Sequence, residues 1–273
     1  YGTGASTGAA PYALEDDPID SECSAPRSVI NADGTLWWVD GRRRVVKMQG
    51  RQAVAVSLPI ESQIQAFSAF DDVVSHQFEY QGHHLLLLHS YKAGLTFAYD
   101  YVLGAWSEWR RWSITAGDWT SMPLQAYAYH PGWNRHFCAG PGHSELIFEL
   151  SPTTYQDNGT ALVKLWRGPF VDGGDSSLKF AKRLQFLVDG GVATSYTSTA
   201  EGYNPEIEVR WRNEDRQWQD WRPLSTGRIG YTDTVRDIWC RSNFRRQQVE
   251  WRSSAPVPIR VTRIEMELTG RMR

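Results

Sequence analysis

The chain has 273 residues, 41% of them hydrophobic and 22% charged, with a formal net charge of −2. That length supports one large domain or two smaller ones, and the balance is that of an ordinary folded protein. The charge argues against a broadly basic nucleic-acid binder, and no run approaches the ~18 apolar residues of a membrane span.

Residues 1–24 open with YGTGASTGAAP and continue through Glu15-Asp16-Asp17-Pro18. They lack apolar periodicity and predict a flexible arm or linker. The start at Tyr1 rather than Met leads us to expect further chain upstream.

From residue 25 the chain reads as strands. Three hairpins stand out: TLWWV (35–39) with VVKMQG (45–50), LLLLHS (85–90) with LTFAYD (95–100), and RHFCAG (135–140) with ELIFEL (145–150). Each pairs two apolar runs across a Gly-containing turn. Their second strands centre on Val46, Ala98 and Phe148, spaced by 52 and 50 residues. A repeat of that length, supplying a few antiparallel strands each time, is the pattern of β-propeller blades. Between the first two hairpins, SLPIESQIQAFSAF (57–70) predicts a short helix. Ser57 can cap it, Pro59 suits its first turn, and Ile60, Ile64 and Phe67 share a face. SHQFEYQG (75–82) then returns to β. In LTFAYDYVLGAWSEW (95–109), Asp100 to Gly104 fit a turn, and the aromatics fit packing of one blade against the next.

The blades are expected over 25–160, and a C-terminal β region, either further blades or a small β-sandwich, over 161–273. There Leu178, Phe180, Leu184, Phe186 and Val188 alternate, with a break near Lys182. Ile207, Val209 and Trp211 oppose Glu208, Arg210 and Arg212, which predicts a half-buried strand with a charged outer face. NEDR (213–216) is read as a turn into a second strand carrying Trp218 and Trp221. Ile259, Val261, Ile264, Met266 and Leu268 alternate with one shift of phase. The whole chain is expected to be all-β.

Candidate chemistry is sparse. His83, His84 and His89 lie on one strand, with His84 on the opposite face, and read as structural or surface histidines. Asp16/Asp17 and Asp71/Asp72 sit in turn-like contexts rather than as a glycosidase pair. The DGG runs at 172–174 and 189–191 read as hairpin turns before calcium loops. The string Gly4-Ala5-Ser6-Thr7-Gly8 has GxSxG spacing but lies in the Gly/Ala-rich arm, which lacks apolar periodicity, and is not read as a nucleophile elbow; no phosphate-cradling glycine loop is read. Residues 212–218, RNEDRQW, carry Asp215 and Trp218 but neither the Ser nor the Gly of a sialidase-type Ser-x-Asp-x-Gly-x-x-Trp box, nor its spacing. Cys23, Cys138 and Cys240 are far apart, so neither disulfides nor a zinc site is expected. No catalytic residue, metal or cofactor is therefore assigned.

The basic residues are lopsided: Lys47, Lys92, Lys164, Lys179 and Lys182 are the only lysines among 29. Arginine is enriched at interfaces, and 13 tryptophans fit either an interface or a β core. The clusters Arg42-Arg43-Arg44, Arg110-Arg111 and Arg245-Arg246 are read either as solvated charge or as contacts with a neighbouring subunit or a nucleic-acid backbone.

The order APRSVINADGTLWWVDG (25–41), VVKMQG with VSLPIESQIQAF (45–67), and HQFEYQGHHLLLLHSYKAGLTFAYDYVLGAWSEW (76–109) resembles the tail-hub and packaged-DNA-stabilisation family of short-tailed bacteriophages. In the hairpin, Gly82-His83, Thr96-Phe97, Tyr99-Asp100, Gly104 and Trp106 carry the likeness. The segment from VRWRNEDRQWQDWRPL to RIEMELTG (209–270) resembles the family's C-terminal end. It departs at NEDR, where the family has DDGG, and at Asn243, where a Gly is usual. The resemblance implies a non-enzymatic β-propeller in an oligomeric ring below the portal, a virion tail protein assembled in the host cytoplasm. The implied partners are further copies, the portal or head-tail adaptor, other tail proteins, and DNA in the channel, contacted without sequence specificity. The alternative is a carbohydrate-binding or receptor-binding propeller of the tail; a sialidase-type glycan hydrolase is a third class.

Overall fold

The computed structural model describes residues 21–80, 82–113, 115–142, 146–190, 204–214 and 216–271. Most of the expected arm, with Asp16 and Asp17, lies outside these, as does Asp215. The chain is all-β and divides into two compact units between Pro152 and Thr153.

The first unit is built of successive antiparallel meanders. Strands β1 (Ile30–Ala32), β2 (Thr35–Val39), β3 (Val45–Gln49) and β4 (Gln52–Ala55) form the first sheet in chain order. Strands β5 (Val74–Tyr80), β6 (His83–Ser90), β7 (Leu95–Asp100) and β8 (Ala105–Trp109) form the second. A small hairpin, β9 (Arg111–Ser113) with β10 (Asp118–Thr120), leads to a three-stranded sheet of β11 (Ala126–His130), β12 (Arg135–Ala139) and β13 (Phe148–Glu149). The hairpins legible in the sequence are the second and third strands of each meander. The spacing of about 50 residues is thus the distance between successive third strands. The strand expected over 145–150 shrinks to Phe148–Glu149. Among the described residues of that run Phe148 and Leu150 pack against the core, while Ile147 is 77% exposed.

Between the first two sheets, helix α1 (Glu61–Gln65) follows a 3-10 turn over Leu58–Ile60. Ile60, Ile64 and Phe67 are buried, as the helical spacing predicts. Ser57 does not cap this turn. Its hydroxyl instead accepts the Val45 N–H at 3.0 Å, inside the first sheet.

The run Leu85-Leu86-Leu87-Leu88 follows from the layering. Leu86, Leu88 and Phe97 pack with Trp37, Val39 and Val45 of the first sheet, around Ile64 and Phe67. Leu85, Leu87, Phe78 and Ala98 pack with Leu124 and Cys138 on the side of the third sheet. Successive residues of a strand point to opposite faces, so an unbroken leucine run needs both faces covered. Trp106 and Trp109 divide the same way: Trp106 joins the first core and Trp109 the second.

The second unit is a two-layer sandwich preceded by a hairpin of β14 (Gln156–Asp157) and β15 (Thr160–Ala161), turned at Asn158-Gly159 with φ +47° and +78°. Its long strands are β16 (Lys164–Val171), β17 (Lys179–Asp189), β18 (Glu206–Asn213), β19 (Arg222–Ser225), β20 (Thr234–Phe244), β21 (Gln247–Ser253) and β22 (Arg260–Arg271). One sheet runs β16-β21-β18-β19 and the other β20-β17-β22. Both supply one core: Leu184, Phe186 and Ile238 from one layer, Ile207, Val209 and Trp211 from the other.

Three expectations here are corrected. The break near Lys182 is a bulge, with register shifts between Ala181 and Arg183 against both neighbours. It inverts the phase, so Lys179 and Ala181 are buried before it and Leu184, Phe186 and Val188 after it. Leu178 and Phe180 are only partly buried. Asp172 to Gly174 joins β16 of one sheet to β17 of the other, so it is a crossover and not a hairpin; Gly191 lies outside the described residues. Trp218 and Trp221 precede β19 rather than lie in it.

Candidate functional site

Residues from the first strands of the three sheets of the first unit line one cleft. Ile30 of β1, Ser75, His76, Gln77 and Glu79 of β5, and Tyr127 and Tyr129 of β11 all line one opening of about 800 Å³. Gly82 of the β5–β6 turn and His83 and His84 at the start of β6 line it too, as do Asn134 of the β11–β12 turn and Arg135, His136 and Glu149 of the third sheet. A volume of that order accommodates a small organic ligand.

Its wall is a set of neutral aromatic and imidazole rings. His76 stacks on Tyr127 at 5.0 Å between centroids, and His136 lies 4.7 Å from Tyr129. The His76 Nε2 donates to the Leu124 carbonyl at 2.8 Å, because a carbonyl can only accept. Burial lowers the His76 pKa and outweighs that bond, so the ring is neutral. Burial likewise holds the Tyr127 hydroxyl above the ordinary phenol range. That hydroxyl keeps its proton and is hydrogen-bonded to His136 Nδ1 at 2.6 Å. The Tyr129 hydroxyl donates to Asn134 Oδ1 at 2.9 Å.

The rim is charged with both signs. Arg135 Nη1 lies 3.4 Å from Glu149, and His84 Nδ1 lies 3.4 Å from Glu79. The side chains of Glu79 and Arg135 are 63% and 57% exposed, which leaves them hydrogen-bonding capacity beyond these loose contacts. His83 is engaged with Asp100 at 2.6 Å. Burial pushes the Asp100 carboxyl up, but the N–H groups of Leu103 and Val102 and the His83 ring outweigh it and hold the pKa low. Among the described residues, no group of three or more His, Cys, Asp or Glu side chains is placed to hold a metal ion.

The seven arginines singled out in the sequence do not line this cleft. Arg42 is exposed. Arg43, at φ +63°, donates to the Gln65 carbonyl at 3.2 Å and covers the Phe70 ring at 5.0 Å. Arg44 donates twice to Asp40 Oδ2, at 3.0 and 2.7 Å, and closes the β2–β3 turn. Arg110 pairs with Glu108, and Arg111 lies over Phe148 at 5.2 Å. In the second unit Arg245 donates to the Ser176 carbonyl at 2.7 Å, and Arg246 lies over Phe170 at 5.0 Å. Arg245 also borders an open hollow of about 570 Å³ with Leu178, Glu214, Arg216 and Asn243.

A second arginine set, read only as a charged outer face, is organised more tightly. On the outside of the β16-β21-β18-β19 sheet, Arg167 and Arg210 flank Glu250 in register from neighbouring strands. Trp218 and Trp221 lie across this row: Trp221 is 4.1 Å from Arg210 and 4.3 Å from Arg252, and Trp218 is 4.8 Å from Arg212. Glu250 is fully buried beneath. The tryptophans cover the centre of the row, while Arg167 stays 50% exposed.

Sequence reasoning missed Glu79, Tyr127, Tyr129, Arg135, His136 and Glu149. One signal was present. Tyr127 and Tyr129 alternate on a short strand that has few aliphatic residues to bury, so their shared face needs another use.

No family model and no curated protein matches the chain. Among solved structures, an exo-beta-1,3-galactanase from Phanerochaete chrysosporium, crystallised with galactose, aligns over 92% of this chain and 70% of that chain. The identity is 7% and the TM-score 0.22, a likeness too slight to carry an argument about fold or function.

Proposed function

We propose that this chain is a structural protein of a phage tail, forming an oligomeric nozzle or hub ring below the portal that retains packaged DNA and conducts it at ejection. The observation that carries this reading is the stacking of the first unit. Successive meanders, repeating at about 50 residues, cover both faces of the second sheet and bring β1, β5 and β11 to one cleft. That is how propeller blades sit around an axis, and a propeller is the fold that the phage resemblance implies. The function is mechanical in this reading. Stacked sheets give a rigid wall, and a net charge of −2 lets DNA slide past rather than bind tightly. The exposed Arg42, Arg43, Arg245 and Arg246 make the contacts with neighbouring subunits or the DNA backbone. Arg44 and Arg110, already paired with Asp40 and Glu108, hold their own turns.

Electron microscopy of intact particles tests the reading. A ring of this chain coaxial with the portal is the expected result. A chain absent from particles and monomeric in solution would overturn it.

A further inference from the structure

We infer that the cleft where β1, β5 and β11 meet binds a neutral saccharide. The inference rests on the rim and wall chemistry alone and stands whether or not the chain forms a ring.

The two signs of charge select against ionic ligands. Glu79 and Glu149 repel phosphate, sulfate or a carboxylated sugar, and Arg135 repels a cation. What a carboxylate and a guanidinium satisfy together is a hydroxyl. A carboxylate only accepts hydrogen bonds and a guanidinium only donates them, whereas a hydroxyl does both. Neighbouring hydroxyls of a sugar can donate to Glu149 or Glu79 while accepting from Arg135. These are charge-assisted bonds, stronger than neutral ones. The wall supplies the other half of sugar chemistry. Tyr129, with its ring 4.7 Å from His136, presents an aromatic surface that the C–H face of a pyranose can cover. Tyr129 is 47% exposed, and its hydroxyl is held by Asn134, which fixes the ring before any ligand arrives. A cleft of about 800 Å³ has room for one or two sugar units.

The test uses the full chain on a printed array of neutral, sialylated and sulfated oligosaccharides, followed by calorimetric titration of the glycan retained best. We expect retention of neutral glycans. Glu79→Gln and Tyr129→Ala should each weaken that binding by about tenfold or more, the loss of one charge-assisted bond or one stacking face. Leu103→Ser, on the exposed β7–β8 turn, should leave it unchanged, and thermal unfolding of each variant reports whether the fold survives. Retention of no neutral glycan, a preference for the acidic ones, or unaltered affinity in folded Glu79→Gln and Tyr129→Ala would each overturn the inference.

Discussion

The indole N–H of Trp106 donates to the Val56 carbonyl at 2.8 Å, tying the last strand of the second sheet to the chain leaving the first. The same ring lies 5.0 Å from Tyr99, which in turn lies 5.5 Å from Trp37 of the first sheet. The seam is therefore aromatic packing fixed by one directional bond. Trp106→Phe, which keeps a ring and removes the donor, should cost about 1 kcal/mol. Trp106→Ala should cost about 3 kcal/mol, since the ring contacts go as well. Urea midpoints of the two variants measure the difference, and equal losses would show that the ring itself contributes little.

Leu86 and Leu87 are adjacent in sequence and belong to different cores. Each is at most 1% exposed, so Leu86→Ala and Leu87→Ala should both destabilise the first unit by about 2–5 kcal/mol. A sheet with one solvated face would show one large loss and one near zero. Equilibrium denaturation decides between these outcomes.

The two leucines also show what the sequence discloses. Four leucines in a row demand two covered faces, and the spacing of Val46, Ala98 and Phe148 locates the third strand of each sheet. Ile60, Ile64 and Phe67 reveal their helix because a 3.6-residue period is local. The bulge at Lys182 announces a break but not its consequence. The choice of Lys179 and Ala181 over Leu178 and Phe180 as buried residues is settled by the partner strands. Lys179 tolerates that position because its ammonium donates to Asp175 Oδ1 at 2.6 Å and to the Asp175 carbonyl at 2.7 Å. The cleft was not legible, since its residues come from strands about 50 positions apart and acquire meaning only when β5 and β11 lie together. The arginine clusters are the opposite case: adjacency in sequence gathers Arg42, Arg43 and Arg44, whereas the contacts of Arg44 with Asp40 and of Arg43 with Gln65 and Phe70 are set by the fold.

His89 should make stability depend on pH. Its ring is fully buried, its Nδ1 pairs with the Thr96 hydroxyl at 2.9 Å, and its Nε2 has no partner among the described residues. Burial first, then the nearby His76, lowers its pKa from 6.5 to about 4. The unfolded chain thus binds more protons than the folded one between these values. Stability is full above pH 6.5 and falls as the pH drops towards 4, by an amount on the order of 3 kcal/mol. His76, also lowered by burial, adds in the same direction. Denaturation curves at pH 7 and pH 4.5 should show this loss, and His89→Gln should show a smaller one. An identical pH dependence in the variant would place the titrating group elsewhere.

Glu250 should be the most sensitive charged residue of the second unit. Its side chain is 0% exposed; Oε1 accepts from Arg167 at 2.9 and 2.7 Å, and Oε2 accepts from Arg210. The arginines are 50% and 23% exposed and are themselves stacked on Trp218, at 5.3 and 4.9 Å. Glu250→Ala leaves two guanidinium groups facing each other under the tryptophans, without their shared counter-charge. The loss should stay below the about 3–5 kcal/mol of a wholly buried ionic set, because Arg167 and Arg210 keep part of their hydration when Glu250 is removed. Glu250→Gln keeps the shape and one acceptor and should lose less. Glu267→Gln, which breaks the more exposed contacts with Lys182 and Arg183 on the other sheet, should lose the least, since exposed ion pairs are screened by solvent. Trp218→Ala should approach the Glu250→Gln value: it removes cation–π contacts worth about 0.5–2 kcal/mol each and admits water to the ion set. Thermal unfolding of the four variants gives the order Glu250→Ala, then Glu250→Gln with Trp218→Ala, then Glu267→Gln. A Glu250→Ala loss no larger than that of Glu267→Gln would mean that the tryptophans do not seal the row and that water already reaches Glu250.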